Sequence, residues 1–132
     1  MKGISTKING GLTIGSVIKV DDNSGAKKLR IIGKEGYQGR RKRIPGIGIG
    51  QIFFGSVIAG KKDLRKKIVR AVVIRQRKPF KRANGLTVQF EDNACVIITD
   101  KNEPKASEIK GVVAKEIGEK YPKISTIAKN VV

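Results

Sequence analysis

Histidine and tryptophan are absent from this 132-residue sequence, and cysteine and methionine occur once each. Without histidine there is no imidazole general base, no Ser-His-Asp triad and no imidazole metal ligand. A lone Cys95 excludes an intramolecular disulfide and a cysteine-cluster zinc site; inside an apolar stretch it reads as a buried, inert small hydrophobe. Four Phe and two Tyr are the only aromatics. Proteins that read single strands array several aromatics as stacking platforms, so this scarcity favours a structured partner held by backbone and shape. No apolar run approaches the ~18 residues of a membrane helix. No apolar region follows Met1-Lys2-Gly3-Ile4, so no signal peptide is expected there.

Acidic residues are also scarce. Lys and Arg number 29, Asp and Glu 11, and the net charge is +18. Residues 27–82 hold nineteen of the cations and only Glu35 and Asp63 as acids, a local charge of +17. Residues 83–132 balance seven Lys against seven acids. Hydrophobic residues make up 39%, enough for a folded core and against a disordered basic tail. Like charge concentrated this way repels itself unless a polyanion neutralises it. Nucleic acid is the commonest such partner. An anionic membrane is the competitor, but it favours a basic amphipathic helix, and these cations lie in Gly-rich or strand-like sequence.

The chain reads as a single domain over 1–132, with an N-terminal arm (1–15), a β-barrel with basic loops (16–103) and a C-terminal helical tail (104–132). Strands are expected at 16–20, 28–33, 52–59, 68–77, 86–90 (with Leu86, Val88 and Phe90 on one face) and, last, 94–99. The third, with Phe53, Phe54, Val57 and Ile58, is apolar enough to be buried on both faces. Asp21-Asp22-Asn23-Ser24-Gly25 is a turn. Residues 33–50 form an extended loop or β-ribbon, and 61–67 a basic connector with room for one helical turn. Asn84-Gly85 predicts a type I′ hairpin turn. Val113 and Ile117, four apart, predict a helix over 111–120, with Pro122 opening a second helical turn. Short strands followed by helix indicate a small closed or partly closed β-barrel.

Two tracts carry the chemistry. Arg75-Gln76-Arg77-Lys78-Pro79-Phe80-Lys81-Arg82 packs five cations and an aromatic into eight positions. On a strand, Arg75 and Arg77 would share a face, each able to hold a phosphate bidentately. Arg40-Arg41-Lys42-Arg43 sits among glycines after Tyr37, which either stacks on a base or packs on the barrel wall. Lys61, Lys62, Arg65, Lys66 and Lys67 form a second set. Pro45-Gly46-Ile47-Gly48-Ile49-Gly50 lacks the Lys-Ser/Thr and helix of a phosphate loop; its alternation suits close approach of another backbone. Glu91-Asp92 sit on opposite strand faces and cannot act together. Asp21-Asp22 offer too few ligands for calcium. Val112, Val113 and Ile117 pack either on the chain's own barrel or on a protein partner.

The run Ala71-Val72-Val73-Ile74, nine residues, Asn84-Gly85, four residues, Phe90, two residues, Asn93, two residues, Val96-Ile97 resembles the signature of the universal large-subunit ribosomal protein fourteen family. Asp22-Asn23-Ser24-Gly25-Ala26-Lys27 and Tyr37-Gln38-Gly39 resemble the family's early turn and the approach to its basic loop. Arg75-Gln76-Arg77-Lys78 with Phe90-Glu91-Asp92-Asn93-Ala94 resembles its archaeal and eukaryotic branch. The resemblance spans roughly residues 12–132. It implies a mainly β fold: a five-stranded closed β-barrel with a projecting β-ribbon and short C-terminal helices. It implies a cytoplasmic, non-enzymatic constituent of the large ribosomal subunit, without cofactor. The partners it implies are large-subunit rRNA, small-subunit rRNA across an intersubunit bridge, ribosomal protein three and the twenty-four-e-type ribosomal protein. Anti-association initiation factor six docks in the same neighbourhood, and no membrane is involved. The chain departs from the family at Gly50-Gln51, at Pro104-Lys105-Ala106-Ser107 and at Gly111-Val112-Val113-Ala114, where the usual helix-opening proline is missing. The rivals are a free-standing single-strand-binding barrel or translation-factor module, and a nuclease, which would need gathered carboxylates.

Overall fold

The computed structural model describes residues 10–37, 39, 41, 44–82 and 84–132. Five strands close a barrel in the order β1-β2-β3-β4-β7: β1 (Val17–Val20), β2 (Ala26–Lys34), β3 (Ile52–Gly60), β4 (Ile68–Arg75) and β7 (Ala94–Ile98). Neighbours are antiparallel except β1 and β7, whose parallel pairing (Lys19↔Ala94, Val20↔Cys95) shuts the barrel. Closure leaves the barrel no open edge, which suits strands this short.

Alternating apolar side chains fill the interior: Ile18, Val20, Leu29, Ile31, Phe53 and Val57 are all buried. The expectation that the third strand is buried on both faces is corrected, because β3 alternates through Val57, with Phe54 half-buried and Ile58 exposed. The doubly buried strands are β4 from residue 71 onward and β7 throughout. Their outer cover includes the C-terminal segment, where the Ala114 amide donates to Ile74 O at 3.1 Å.

Between β4 and β7 stands a small hairpin of β5 (Phe80–Lys81) and β6 (Thr87–Val88). Its turn is not type I′. Of Asn84 and Gly85 only Gly85 takes a positive φ, 87°. The Gly85 amide donates to Arg82 O, the Arg82 amide to Leu86 O, and Asn84 Oδ1 accepts from the Leu86 amide.

β7 is also not the last strand. β8 (Ile109–Val113) and β9 (Ala128–Val131) pair in parallel. A parallel pair needs a crossover, here supplied by α1 (Lys115–Lys120) and α2 (Pro122–Ile127). The expected helix therefore begins at Lys115, because Gly111, Val112 and Val113 are taken by β8. Pro122 does open α2 at its first turn, where its missing N–H costs nothing. Val113 and Ile117 are fully buried in the chain's own core, and Val112 is half-buried. Of these three interface candidates, the first two face inward. Cys95 is buried, and burial pushes its thiol pKa well up, with the Asp22 and Asp21 charges adding.

Leu12 is buried and joins the fold through a two-way bridge with Ile47, at 2.7 and 3.1 Å. A Cβ on Gly10 would stand 2.5 Å from Gly46 C, so the Gly-Ile alternation does mark a close backbone approach. Residues 1–9 of the expected arm lie outside the described residues.

Replacing Ile117 with Ala should cost about 2–5 kcal/mol of unfolding free energy in urea titrations. Leu86→Ala, at a side chain 60% exposed, should stay within about 0.5 kcal/mol.

Candidate nucleic-acid interface

The cations of residues 70–82 divide into two groups. Arg75 ends β4 with a side chain only 8% exposed. Its Nε donates to Asp92 Oδ1 at 2.6 Å and its Nη2 to Asp92 Oδ2 at 3.0 Å. Nη2 also pairs with the buried Asp21 carboxylate, and Nη1 donates to Val112 O at 3.1 Å. Gly111 is required here: any Cβ would collide with both the Arg75 guanidinium and the Asp21 carboxylate. Burial alone would lower the Arg75 pKa. The Asp92 hydrogen bonds and the Asp21 charge outweigh it and raise the value. Asp92 is held below the usual carboxylate range, first by the hydrogen bond from Arg75, against a smaller opposing effect of burial.

Arg82 is likewise engaged. It donates to Glu116 Oε1 at 2.6 Å and to Val132 O at 2.8 Å, with its guanidinium 5.7 Å from the centre of the buried Phe80 ring. Arg70 bonds Glu35 at 2.8 and 3.1 Å, Asn102 at 3.0 Å and Thr99 O at 2.9 Å. These three arginines tie elements together. Arg75 and Arg77 do not share an exposed face, because β4 stops at Arg75 and the chain turns. The structure thus places Arg75 in the framework and not on the surface.

Arg77, Lys78 and Lys81 are exposed, and no carboxylate among the described residues lies within 4.0 Å of them. Their hairpin is held at its base: Asn93 Oδ1 accepts from the Arg77 amide at 2.9 Å, Gln76 Nε2 donates to Lys78 O at 3.0 Å, and the Phe90 amide donates to Gln76 O at 3.3 Å. Lys78 packs over Gly11, where a Cβ would stand 2.9 Å from Lys78 Cβ. Arg41 is exposed and Tyr37 is 38% exposed. Arg40, Lys42 and Arg43 lie outside the described residues.

The connector of residues 61–67 is a run of turns, with one helix-type bond in which the Arg65 amide donates to Lys61 O at 3.2 Å. Lys61, Lys62, Arg65, Lys66 and Lys67 are all exposed and have no carboxylate within 4.0 Å among the described residues. Beside them lie Lys27 and Lys28, which sequence reasoning did not single out. β2 pairs irregularly with β3 at Ala26/Lys28 and Lys28/Leu29. Such a bulge re-aims side chains, and both lysines are exposed in succession between buried Ala26 and Leu29. The sequence signal was two consecutive lysines where alternation predicts one.

Among the described residues no group of three or more Cys, Asp or Glu is gathered to hold a metal ion, and no helix is long and apolar enough to cross a membrane.

Fold and surface together define a class: a small closed β-barrel carrying two groups of exposed cations, Arg77, Lys78 and Lys81 and those of residues 61–67, with no described carboxylate within 4.0 Å. The model of the family described as Ribosomal protein L14p/L23e matches residues 11–132. The chain is 48% identical over 132 residues to the large ribosomal subunit protein uL14 of Methanocella arvoryzae, covering all of both chains. It is 47% identical, again over both full lengths, to that of Methanoregula boonei. It is 48% identical to that of Thermofilum pendens, covering 98% of this chain and 94% of the other. The chain belongs to the ribosomal protein L14p/L23e family, in its archaeal form. It is a ribosomal protein of the large subunit, working in the cytoplasmic ribosome and not as an enzyme.

Arg75→Ala should cost about 3–5 kcal/mol, because it strands the buried Asp21 charge. Asp92 titrates lower folded than unfolded. Its contribution is complete above the unfolded value and disappears as pH falls through the folded one. Urea midpoints measured from pH 6 to pH 2 should therefore fall less steeply for Asp92→Asn than for the parent, starting from a lower value.

Proposed function

We propose that this chain is a structural RNA-binding protein. It holds large-subunit rRNA through the sugar–phosphate backbone and contributes to an intersubunit bridge with small-subunit rRNA. The observation that carries this reading is the exposed, carboxylate-free set Arg77, Lys78 and Lys81 on a hairpin fixed at its base, in a chain of the ribosomal family. Lys61, Lys62, Arg65, Lys66 and Lys67 join them as anchors, with Arg40, Arg41, Lys42 and Arg43 of the loop after Tyr37. Arg75 and Arg82, engaged by Asp21, Asp92 and Glu116, hold the hairpin in place and do not themselves grip phosphate. Ribosomal protein three, the twenty-four-e-type ribosomal protein and anti-association initiation factor six are the protein neighbours of this reading. The surface they would meet includes Val112 and the outer face of β9, since Val113 and Ile117 are buried.

Phosphate neutralisation releases counterions, so affinity for a large-subunit rRNA fragment should fall steeply with salt, with a log–log slope of roughly −0.7 to −0.9 per contact. Neutralising Arg77, Lys78 and Lys81 together to Gln should flatten that slope by about 2–3, read from binding titrations between 50 and 200 mM salt. A slope the same as the parent's would sink the assignment. In a sucrose gradient of lysate the chain should travel with large subunits; a free-standing barrel would stay near the top.

A further inference from the structure

The outer side of the barrel is covered unevenly. The cover of β7 and of β4 from residue 71 includes the C-terminal segment, and both are buried on two faces. The outer side of β1, β2, β3 and the start of β4 is open, yet it is not polar. Val17, Ile32, Ile58 and Ile68 are exposed there, Ile68 by 67%, and Phe54 is half-buried. A sheet face turned to water ordinarily carries polar side chains. Exposed apolar side chains mark an interaction surface when they are gathered, though not when they are scattered singly.

The pairing register gathers them. Val17 stands opposite Arg30, Arg30 opposite Ser56, and Ser56 opposite Ile68, in one row across four strands. Ile58 lies two residues from Ser56 and shares its face. Phe54 stands opposite Gly33, and the irregularity between Ile31 and Gly33 turns Ile32 outward beside it. Arg30 is therefore ringed by apolar side chains. It is exposed, with no carboxylate within 4.0 Å among the described residues. None of the strands β1 to β4 contains an Asp or Glu.

Gly33 supplies an independent observation. Directly paired residues share a face, so its bare position lies beside Phe54 on this surface. Unlike Gly25 and Gly36 it has no positive φ, and a Cβ there would meet nothing within 4 Å. Neither backbone conformation nor packing within the described chain calls for glycine. A glycine inside a strand weakens it and often marks the close approach of another backbone.

We propose that this face docks a protein segment bringing apolar side chains around one carboxylate, which seats on Arg30. The collar of Val17, Ile32, Phe54, Ile58 and Ile68 excludes water from that pair, the setting in which an interfacial arginine contributes most. Charge selects this occupant. A second copy docked about a two-fold axis would set Arg30 against Arg30, with no acid in either set of strands. Residues 1–9 of this chain hold two Lys and no acid. RNA would meet one cation among aliphatic groups that donate no hydrogen bond to phosphate. The inference concerns a protein partner and does not depend on the RNA-binding reading.

The test places the photoreactive residue p-benzoylphenylalanine at Ile68, and separately at Ile32, in cells whose large subunits carry this chain. After irradiation, purified subunits should yield a cross-link to a protein segment. Its sequence, read by mass spectrometry, should hold an Asp or Glu flanked by apolar residues. Arg30→Glu should lower the cross-link yield at least about tenfold, and Arg30→Lys should keep most of it. Changing the captured acid to Arg should restore the yield beside Arg30→Glu. Arg30→Glu should retain the parent's urea midpoint, as exposed substitutions do, so that its lost cross-link reports docking. Gly33→Val should raise Tm, because a β-branched residue suits a strand, yet lower the yield; a glycine with only a structural role would lose Tm. Cross-linking to rRNA, to residues 1–9 or to a second copy would overturn the proposal. So would a protein cross-link that Arg30→Glu leaves unchanged, or none from either position.

Discussion

The Arg75 guanidinium, clamped between Asp21 and Asp92, is the contact on which the arrangement of the other elements depends. It joins the segment after β1, the end of β4, the segment before β7 and, through Val112 O, β8. Buried ion pairs contribute little net stability, but breaking one leaves a stranded charge. Their effect is to make alternatives costly. With Arg75 in place the chain must leave β4 at residue 75, so the hairpin departs in one direction. Gly111 must pass over the guanidinium, so β8 is fixed beside it. The neighbouring Asp22 completes the junction by accepting the Ile97 amide at 3.0 Å and the Ser24 amide at 3.1 Å.

That junction sorts the charge of the middle segment. Arg70, Arg75 and Arg82 are matched by Glu35, by Asp21 and Asp92, and by Glu116. Two of those acids, Asp92 and Glu116, come from the charge-balanced third of the chain. The bidentate geometry of arginine suits such fixed carboxylate pairing. What remains unmatched is mostly lysine, on turns and the hairpin. The arginines fix the scaffold and leave the other cations of the tract exposed.

Much of the fold was legible because β1 and β3 alternate and β7 is a short unbroken apolar run. Val17–Val20, Ile52–Gly60 and Ala94–Ile98 fall within a residue or two of their expected places. The C-terminal strands were not legible. Val113 and Ile117 fit a helical period, while the parallel pairing of β8 with β9 is non-local and leaves no periodic trace. The basic tract was visible as a tract, but its division was not, since the acids that engage Arg75 and Arg82 lie far along the chain. Lys27 and Lys28 went unremarked because a bulge depends on the pairing partner. The separation of framework from surface depends on contacts between residues far apart in the sequence, such as Arg75 with Asp21 and Arg82 with Glu116.

The most direct measurement is a density map of the large subunit carrying this chain, at a resolution that shows phosphates. Phosphate oxygens of rRNA should lie within about 4 Å of Lys62, Lys66 and Lys67 and of Arg77, Lys78 and Lys81, with Arg75 still on Asp21 and Asp92. A phosphate on the Arg75 guanidinium in place of Asp92, or both sets of cations facing solvent, would contradict the account.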